Sequence, residues 1–269
     1  MQEAITMVIL GLVQGLTEFL PVSSTGHLIL ARELLGFTST FGLAEDAVLH
    51  LATALAVLVY FRSDIAGLWY GFVAAIRTRV WNREMTMIAA LAVGTIPAVF
   101  LGLWLESSIE TVFRSALVVA GALIAGSLIM LAAEYVHRKI TEKRTVTLSR
   151  GLIIGFFQAS ALIPGMSRSG MTISGGMLLG LSRVEAARFA FLLAFPVILG
   201  AGGLKFFELF SSGADTSFGI PLALGALAAF LSGMLAIHVL ITFLKTRTLM
   251  PFIVYRLALA GVILLTVLL

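Results

Sequence analysis

Apolar residues in this chain come in long runs, and no other feature of the sequence narrows the fold as much. A helix needs about 20 predominantly apolar residues to cross the hydrocarbon core of a bilayer. Six runs approach or exceed that length, over approximately residues 44–61, 88–105, 115–136, 189–210, 220–244 and 251–269, the first being short. Of the 269 residues, 59% are hydrophobic and 12% charged, about half the roughly 25% charge of a soluble domain. The expected class is all-α: a polytopic membrane protein with one membrane domain over residues 1–269.

Two further stretches, residues 5–35 and 151–179, are apolar at both ends and broken in the middle. The breaks are Pro21-Val22-Ser23-Ser24-Thr25-Gly26 and Pro164-Gly165-Met166-Ser167-Arg168-Ser169-Gly170. Each reads as a helix, a polar break and a second short helix. The two superimpose at a constant offset of 144 residues, which puts Gly11 on Gly155, Gln14 on Gln158, Ser23 on Ser167, Thr25 on Ser169 and Gly26 on Gly170. Chance apolar similarity would not align the polar breaks as well. The pattern predicts an internal repeat, with halves of about 1–140 and 148–269 joined by a basic linker of about 137–150.

Lysine and arginine placement orients the repeat. Arg62, Arg77, Arg79 and Arg83 fall between the first two runs, and Arg138, Lys139, Lys143, Arg144 and Arg150 in the linker; Arg183 and Arg188 follow the second broken stretch, and Lys245 and Arg247 the fifth run. The alternate connections carry Glu106, Glu110 and Arg114, or Glu208 and Asp215. If both broken stretches are re-entrant hairpins, every basic cluster lies on the cytoplasmic side. Three crossings per half then invert the second half, and the first hairpin enters from outside. The net charge of +4 is explained by this topology better than by a nucleic-acid partner. The N-terminus has no basic region before its first apolar run, so no cleaved signal peptide is expected. With no cysteine, disulfides and cysteine-ligated metals are excluded, and no glycine-rich nucleotide signature is present.

A polar break at bilayer depth is tolerated only where protein or a wet cavity surrounds it. Two such breaks from inverted halves would meet near the midplane, which is where a site is expected. In the first, Gln14 and Glu18 share one helix face, Ser23, Ser24 and Thr25 lead into a short helix near Gly26, and His27 lies in its first turn. Ser24 is placed to be either a cap or a nucleophile. The second break offers Ser167, Arg168, Ser169, Gly170 and Thr172, with Arg168 a permanently charged fork suited to phosphate. A carboxylate, an imidazole, hydroxyls and a guanidinium beside two helix starts form a set used for phosphate-ester or anhydride cleavage. Packing or capping explains any single hydroxyl about as well. Glu18 and Arg168 are costly at mid-bilayer, which favours function over a structural ion pair. His50, His137 and His238 read as interfacial packing, Glu134 as a solvated helix end, and Arg256 as a snorkelling residue or a secondary site. Gly121, Gly126, Gly175, Gly176 and Gly180 read as close helix contacts.

The run from Gln14 to His27, with the run from Pro164 to Ile173, closely resembles undecaprenyl-diphosphate phosphatase, the bacitracin-resistance family of bacteria, and the likeness extends over nearly the whole chain. The resemblance implies removal of the terminal phosphate of undecaprenyl diphosphate at the outer face of the cytoplasmic (inner) membrane. That regenerates the carrier for peptidoglycan synthesis. It also implies stimulation by a divalent cation, Mg²⁺ or Ca²⁺. The family's first motif opens with Glu or Gln; here it is Gln14, so Glu18 carries the negative charge alone and is the candidate metal ligand. Ser24, Glu18, His27 and Arg168 are then the candidate catalytic residues, with either Ser24 or His27 as nucleophile. Gln14, Ser23, Thr25, Gly26, Ser167, Ser169, Gly170 and Thr172 would bind substrate. An anion transporter or polyprenyl-lipid flippase would share the inverted-repeat architecture, but would not need a nucleophile and a base beside its anion clamp. A homodimer is a further, weaker expectation.

Overall fold

A computed structural model of the chain describes residues 2–37, 42–105, 115–140, 143–211 and 219–268. Among these residues the structure is entirely helical, with no strand. The helices are α1 (Gln2–Phe19), α2 (Ser24–Leu34), α3 (Gly42–Tyr60), α4 (Arg62–Thr78), α5 (Arg83–Trp104), α6 (Ala116–His137), α7 (Leu148–Ser160), α8 (Arg168–Leu178), α9 (Arg183–Ser211), α10 (Ile220–Leu244) and α11 (Met250–Leu268). Helices α5, α6, α9, α10 and α11 are long and apolar enough to cross a bilayer, and α3 with α4 forms a sixth candidate bent by 68°. The chain is thus a multi-pass membrane protein. Glu106, Glu110, Arg114 and Asp215, used above to assign sidedness, lie outside the described residues, as does the side chain of Glu208.

The basic stretch between the first two runs is not a simple loop. It folds as α4, whose Asp64 pairs with Arg188 of α9. The Arg188 guanidinium lies 5.7 Å from the Phe61 ring centroid. Side-chain oxygens of Asn82, Ser115 and Thr147 accept from Met85 N, Val118 N and Arg150 N, and so start α5, α6 and α7.

Close approach of small residues makes the two tightest helix pairs. Helix α1 lies along α10 through Gly11, Gly15, Gly225 and Ser232, and α5 lies along α7 through Gly94, Gly151 and Gly155. A methyl group added to Gly94 would stand 2.7 Å from the Gly151 carbonyl oxygen, so these contacts are backbone on backbone, as is usual where lipid removes the hydrophobic drive between helices. Gly126, Gly175, Gly176 and Gly180 are also in close contact, whereas Gly121 has open space beside it. It faces outward on α6 and makes no helix contact. Buried aromatics fasten the first broken stretch to the second half: Phe19 meets Phe191 edge-on at 5.4 Å.

Candidate active site

Both breaks turn the chain with a serine in the left-handed region. Ser23 has φ 78° and Ser167 φ 69°, a conformation that costs a non-glycine residue roughly 1–2 kcal/mol. Each serine immediately precedes a helix start, so the strain aims the N-terminus of α2 or α8. Ser167 Oγ caps α8 by accepting from Gly170 N at 3.2 Å, while the Ser23 side chain makes no cap hydrogen bond. Ser24 and Arg168 occupy the first helical positions of α2 and α8, and both side chains reach the same carboxylate.

That carboxylate is Glu18, in the last turn of α1 and only 6% exposed. Arg168 donates to its Oε1 as an ion pair. Its Oε2 accepts from Ser24 Oγ at 2.7 Å and from Gln14 Nε2 at 2.9 Å. His50 Nε2 stands 3.7 Å from the same oxygen. The two broken stretches also meet through Ser169, whose Oγ donates to the Leu20 carbonyl at 3.1 Å.

The expected residues do not all converge. Gln14, Glu18, Ser24 and Arg168 form one contact group, and Ser167, Ser169, Gly170 and Thr172 are buried at the start of α8. Thr172 is turned back onto its own helix, donating to Arg168 O at 2.7 Å. Gly26 is buried, whereas Thr25 is exposed. His27 points away from Ser24. Its Nδ1 donates to Ser23 O at 2.7 Å, which leaves Nε2 to accept from Tyr255 Oη at 2.5 Å, with the rings stacked 5.6 Å apart.

Four of the sequence expectations need correction. His50 does not sit in a packing role: Nδ1 donates to Asp46 O, and Nε2 therefore presents toward Glu18. Its signal was a lone imidazole well inside the first apolar run. His238 has a polar partner, with Tyr60 Oη 3.3 Å from its Nδ1. Glu134 is not solvated. It is 2% exposed, takes two hydrogen bonds from Arg183 and accepts from Leu249 N at 2.8 Å. Arg256 does not snorkel. It is fully buried, donating to Ser127 Oγ at 3.1 Å and to the Leu123 and Gly165 carbonyls at 3.2 and 3.0 Å, with longer 3.5 Å contacts to Pro21 O and Ala122 O. It thus touches the backbone of both breaks. Tyr255, its neighbour, was not anticipated at all.

The balance of charge at this point is positive. Two helix N-termini, each the positive end of its dipole, and the Arg168 guanidinium face one carboxylate, with the Arg256 guanidinium buried against the breaks behind them. Such a place attracts an anion with several oxygens. A divalent cation has a narrower foothold. Among the described residues no three His, Asp or Glu side chains cluster as a metal site. Gln14, whose Nε2 donates to Glu18, also carries Oε1, a buried oxygen with no hydrogen-bond partner among the described residues. Two hard oxygen donors suit Mg²⁺ or Ca²⁺ only if substrate oxygens complete the shell, which is the usual arrangement for magnesium with phosphates.

Comparison with known proteins gives a consistent result. A family model described as bacitracin resistance protein BacA matches residues 7–262. A protein of Myxococcus xanthus called undecaprenyl-diphosphatase is 46% identical over 266 residues, covering 97% of this chain and 88% of the other. Those of Rubrobacter xylanophilus and Alteromonas mediterranea with the same name are 42% and 41% identical. They cover 98% of each chain and 96% of each chain, respectively.

Proposed function

The chain belongs to the bacitracin resistance protein BacA family, and from that membership we propose that it hydrolyses the terminal phosphate of undecaprenyl diphosphate, releasing undecaprenyl phosphate and inorganic phosphate. It is a membrane-embedded phosphoric anhydride hydrolase that returns the lipid carrier to cell-wall synthesis and thereby confers bacitracin resistance. The transporter or flippase reading is not favoured, because the relatives carry the name of a hydrolase.

The observation that carries the site assignment is the 2.7 Å hydrogen bond from Ser24 Oγ to Glu18. A serine needs a base to act as nucleophile, and this carboxylate is within proton-transfer distance. Ser24 Oγ attacks the terminal phosphorus, its proton passes to Glu18, and the bond to the bridging oxygen breaks to release undecaprenyl phosphate. Water then displaces the serine oxygen, which recovers its proton from Glu18 as inorganic phosphate leaves. Arg168 and the free N–H groups at the starts of α2 and α8 hold the non-bridging oxygens, where the transition-state charge is spread. Before substrate enters, Arg168 is occupied by Glu18. The diphosphate competes for that guanidinium, and each hydrogen bond it takes over leaves Glu18 a stronger base. Ser23, Thr25, Gly26, Ser167, Ser169, Gly170 and Thr172 shape the two helix starts, and His27, held by Tyr255, borders the same entrance.

A divalent cation, Mg²⁺ or Ca²⁺, would be held by Glu18 and Gln14 Oε1. Bound there, it would neutralise charge on the diphosphate oxygens.

The same proposal includes an inverted repeat of two halves, each with a re-entrant hairpin (α1–α2 and α7–α8) and three crossings. Two features support it. The left-handed serines fall at the repeat offset, and α1 packs on α10 through Gly11 as α7 packs on α5 through Gly155, its repeat counterpart. With the basic ends in the cytoplasm, the site opens to the outer face of the inner membrane.

Purified protein in detergent, given a polyprenyl diphosphate and Mg²⁺, is expected to release phosphate, and Ser24→Ala to lower the rate by about a thousandfold or more. Rapid quenching with labelled substrate should trap label on Ser24. Label on His27 would overturn the nucleophile, label on neither would favour direct attack by water, and no release by the wild-type protein would overturn the activity.

A further inference from the structure

A second basic centre lies away from the site just described. The C-terminus of α6, the linker, the start of α9 and the end of α10 border an open cavity of about 320 Å³ lined by His137, Lys143, Ser182, Arg183, Leu244 and Lys245. Basic residues at span ends serve topology, but topology does not require them to converge from four segments on one space. Here the convergence is fixed. Arg144 N donates to Gly180 O at 3.0 Å, which ties the linker to the turn before α9 and sets Lys143 at the cavity wall. The nearby carboxylates are already engaged. Glu134 is held by Arg183 and Leu249 N, and Glu185 accepts from Ser182 N and Oγ at 3.1 and 2.6 Å. Lys143 and Lys245 have no ion-pair partner among the described residues, and His137 Nδ1 is buried without a hydrogen-bond partner. Leu244 supplies an apolar wall beside them.

We propose that this cavity binds a phosphate group. Its ligand has the chemistry of a phosphate carrying at least one negative charge, supplied either by the headgroup of an anionic phospholipid or by free inorganic phosphate. Lys143 and Lys245 provide mobile point charges, the Ser182 hydroxyl and the imidazole of His137 provide hydrogen bonds, and Arg183 stays anchored to Glu134. The exposed positions of Lys143 and Lys245 leave room for a headgroup to enter from the interface.

The test is native mass spectrometry of the full-length protein in detergent, titrated separately with phosphatidylglycerol, phosphatidylcholine and inorganic phosphate. The double variant Lys143→Gln/Lys245→Gln is compared with Arg77→Gln/Arg83→Gln, which removes the same charge from exposed positions outside the cavity. Loss of two lysines at an anionic interface should weaken phosphatidylglycerol binding about thirtyfold. The control variant and phosphatidylcholine binding should change little, and Lys143→Arg/Lys245→Arg should retain the affinity. If inorganic phosphate, and not phosphatidylglycerol, shows that pattern, the ligand is the free ion. Equal losses in the two Gln variants, or no loss in the cavity variant with either phosphate ligand, overturns the proposal.

Discussion

Arg256 offers the sharpest test of how the two broken stretches are held together. Its guanidinium is fully buried and faces no carboxylate; its hydrogen bonds run to Ser127, to carbonyls of α6 and to one carbonyl from each break. Replacing it by methionine keeps much of the volume and removes every donor. Each stranded carbonyl costs about 1–3 kcal/mol. Pro21 O, with a contact of 3.5 Å, falls at the weak end of that range, and Gly165 O at 3.0 Å toward the strong end. Removing a buried charge returns several kcal/mol of desolvation, so the net loss of stability should be small, about 1–3 kcal/mol. The loss of activity should be larger. Without Arg256 the two breaks are tied only through Glu18, which bonds Ser24 and Arg168, and through Ser169 on the Leu20 carbonyl; Ser24 and Arg168 are then freer to shift relative to each other, and a misplacement of about 1 Å costs roughly a hundredfold in rate. Arg256→Met should therefore lower kcat/KM about a hundredfold while Tm falls by a few degrees. Arg256→Lys, whose single nitrogen cannot serve carbonyls on both sides of a planar fork, should lie between the two. Phosphate release and thermal unfolding measured on the same detergent preparations would decide. An Arg256→Met protein within threefold of wild-type kcat/KM would refute the account of this residue.

Arg168→Lys keeps the charge but loses the fork, and should lower kcat/KM by about 100- to 1000-fold, the range seen when one oriented donor is lost from a transition state; a rate within threefold of wild type would remove Arg168 from phosphate binding. Tyr255→Phe takes away the donor to His27 Nε2 while preserving the ring stack, so turnover should fall by about tenfold or less, the worth of one hydrogen bond. A thousandfold loss would mean that Tyr255 itself acts on substrate. Gly94→Val forces a side chain against the Gly151 carbonyl and should destabilise the protein by about 1–3 kcal/mol through the α5–α7 contact, read as a lower Tm; an unchanged Tm would show that this contact is looser than it stands here.

Hydropathy located the long helices well, because a run of apolar residues in lipid has one low-energy solution in which every backbone group is satisfied within the helix. It placed α10 over the expected residues 220–244, and α6 within a residue of its expected limits. It missed α4, since a helix with Asp64 and Arg77 near its ends and exposed Trp69 and Tyr70 on its flank has neither the length nor the uniform apolarity that marks a span.

The chemistry was legible where residues cluster along the chain. Gln14, Glu18 and Ser24 lie within two turns and a break, and Arg168 stands in the matching break, so local spacing and the repeat named them together. His50, Tyr255 and Arg256 could not be found that way. His50 lies on α3 and Tyr255 and Arg256 on α11, outside both broken stretches and in an apolar context that favours the reading of a packed or snorkelling side chain.

The sequence by itself therefore determined the solvent, the long helices, the two broken stretches and most of the polar groups at their tips, because these follow from burial and backbone hydrogen bonding along one segment. Only the tertiary structure decided which partners those groups meet. Glu18 faces Ser24, Gln14, Arg168 and His50 at once, His27 turns to Tyr255, and Arg256 touches both breaks, because backbone contact at Gly11, Gly94 and Gly155 brings segments far apart in the chain to within hydrogen-bond distance. A hydrogen bond across that separation depends on packing geometry, and no local pattern encodes it.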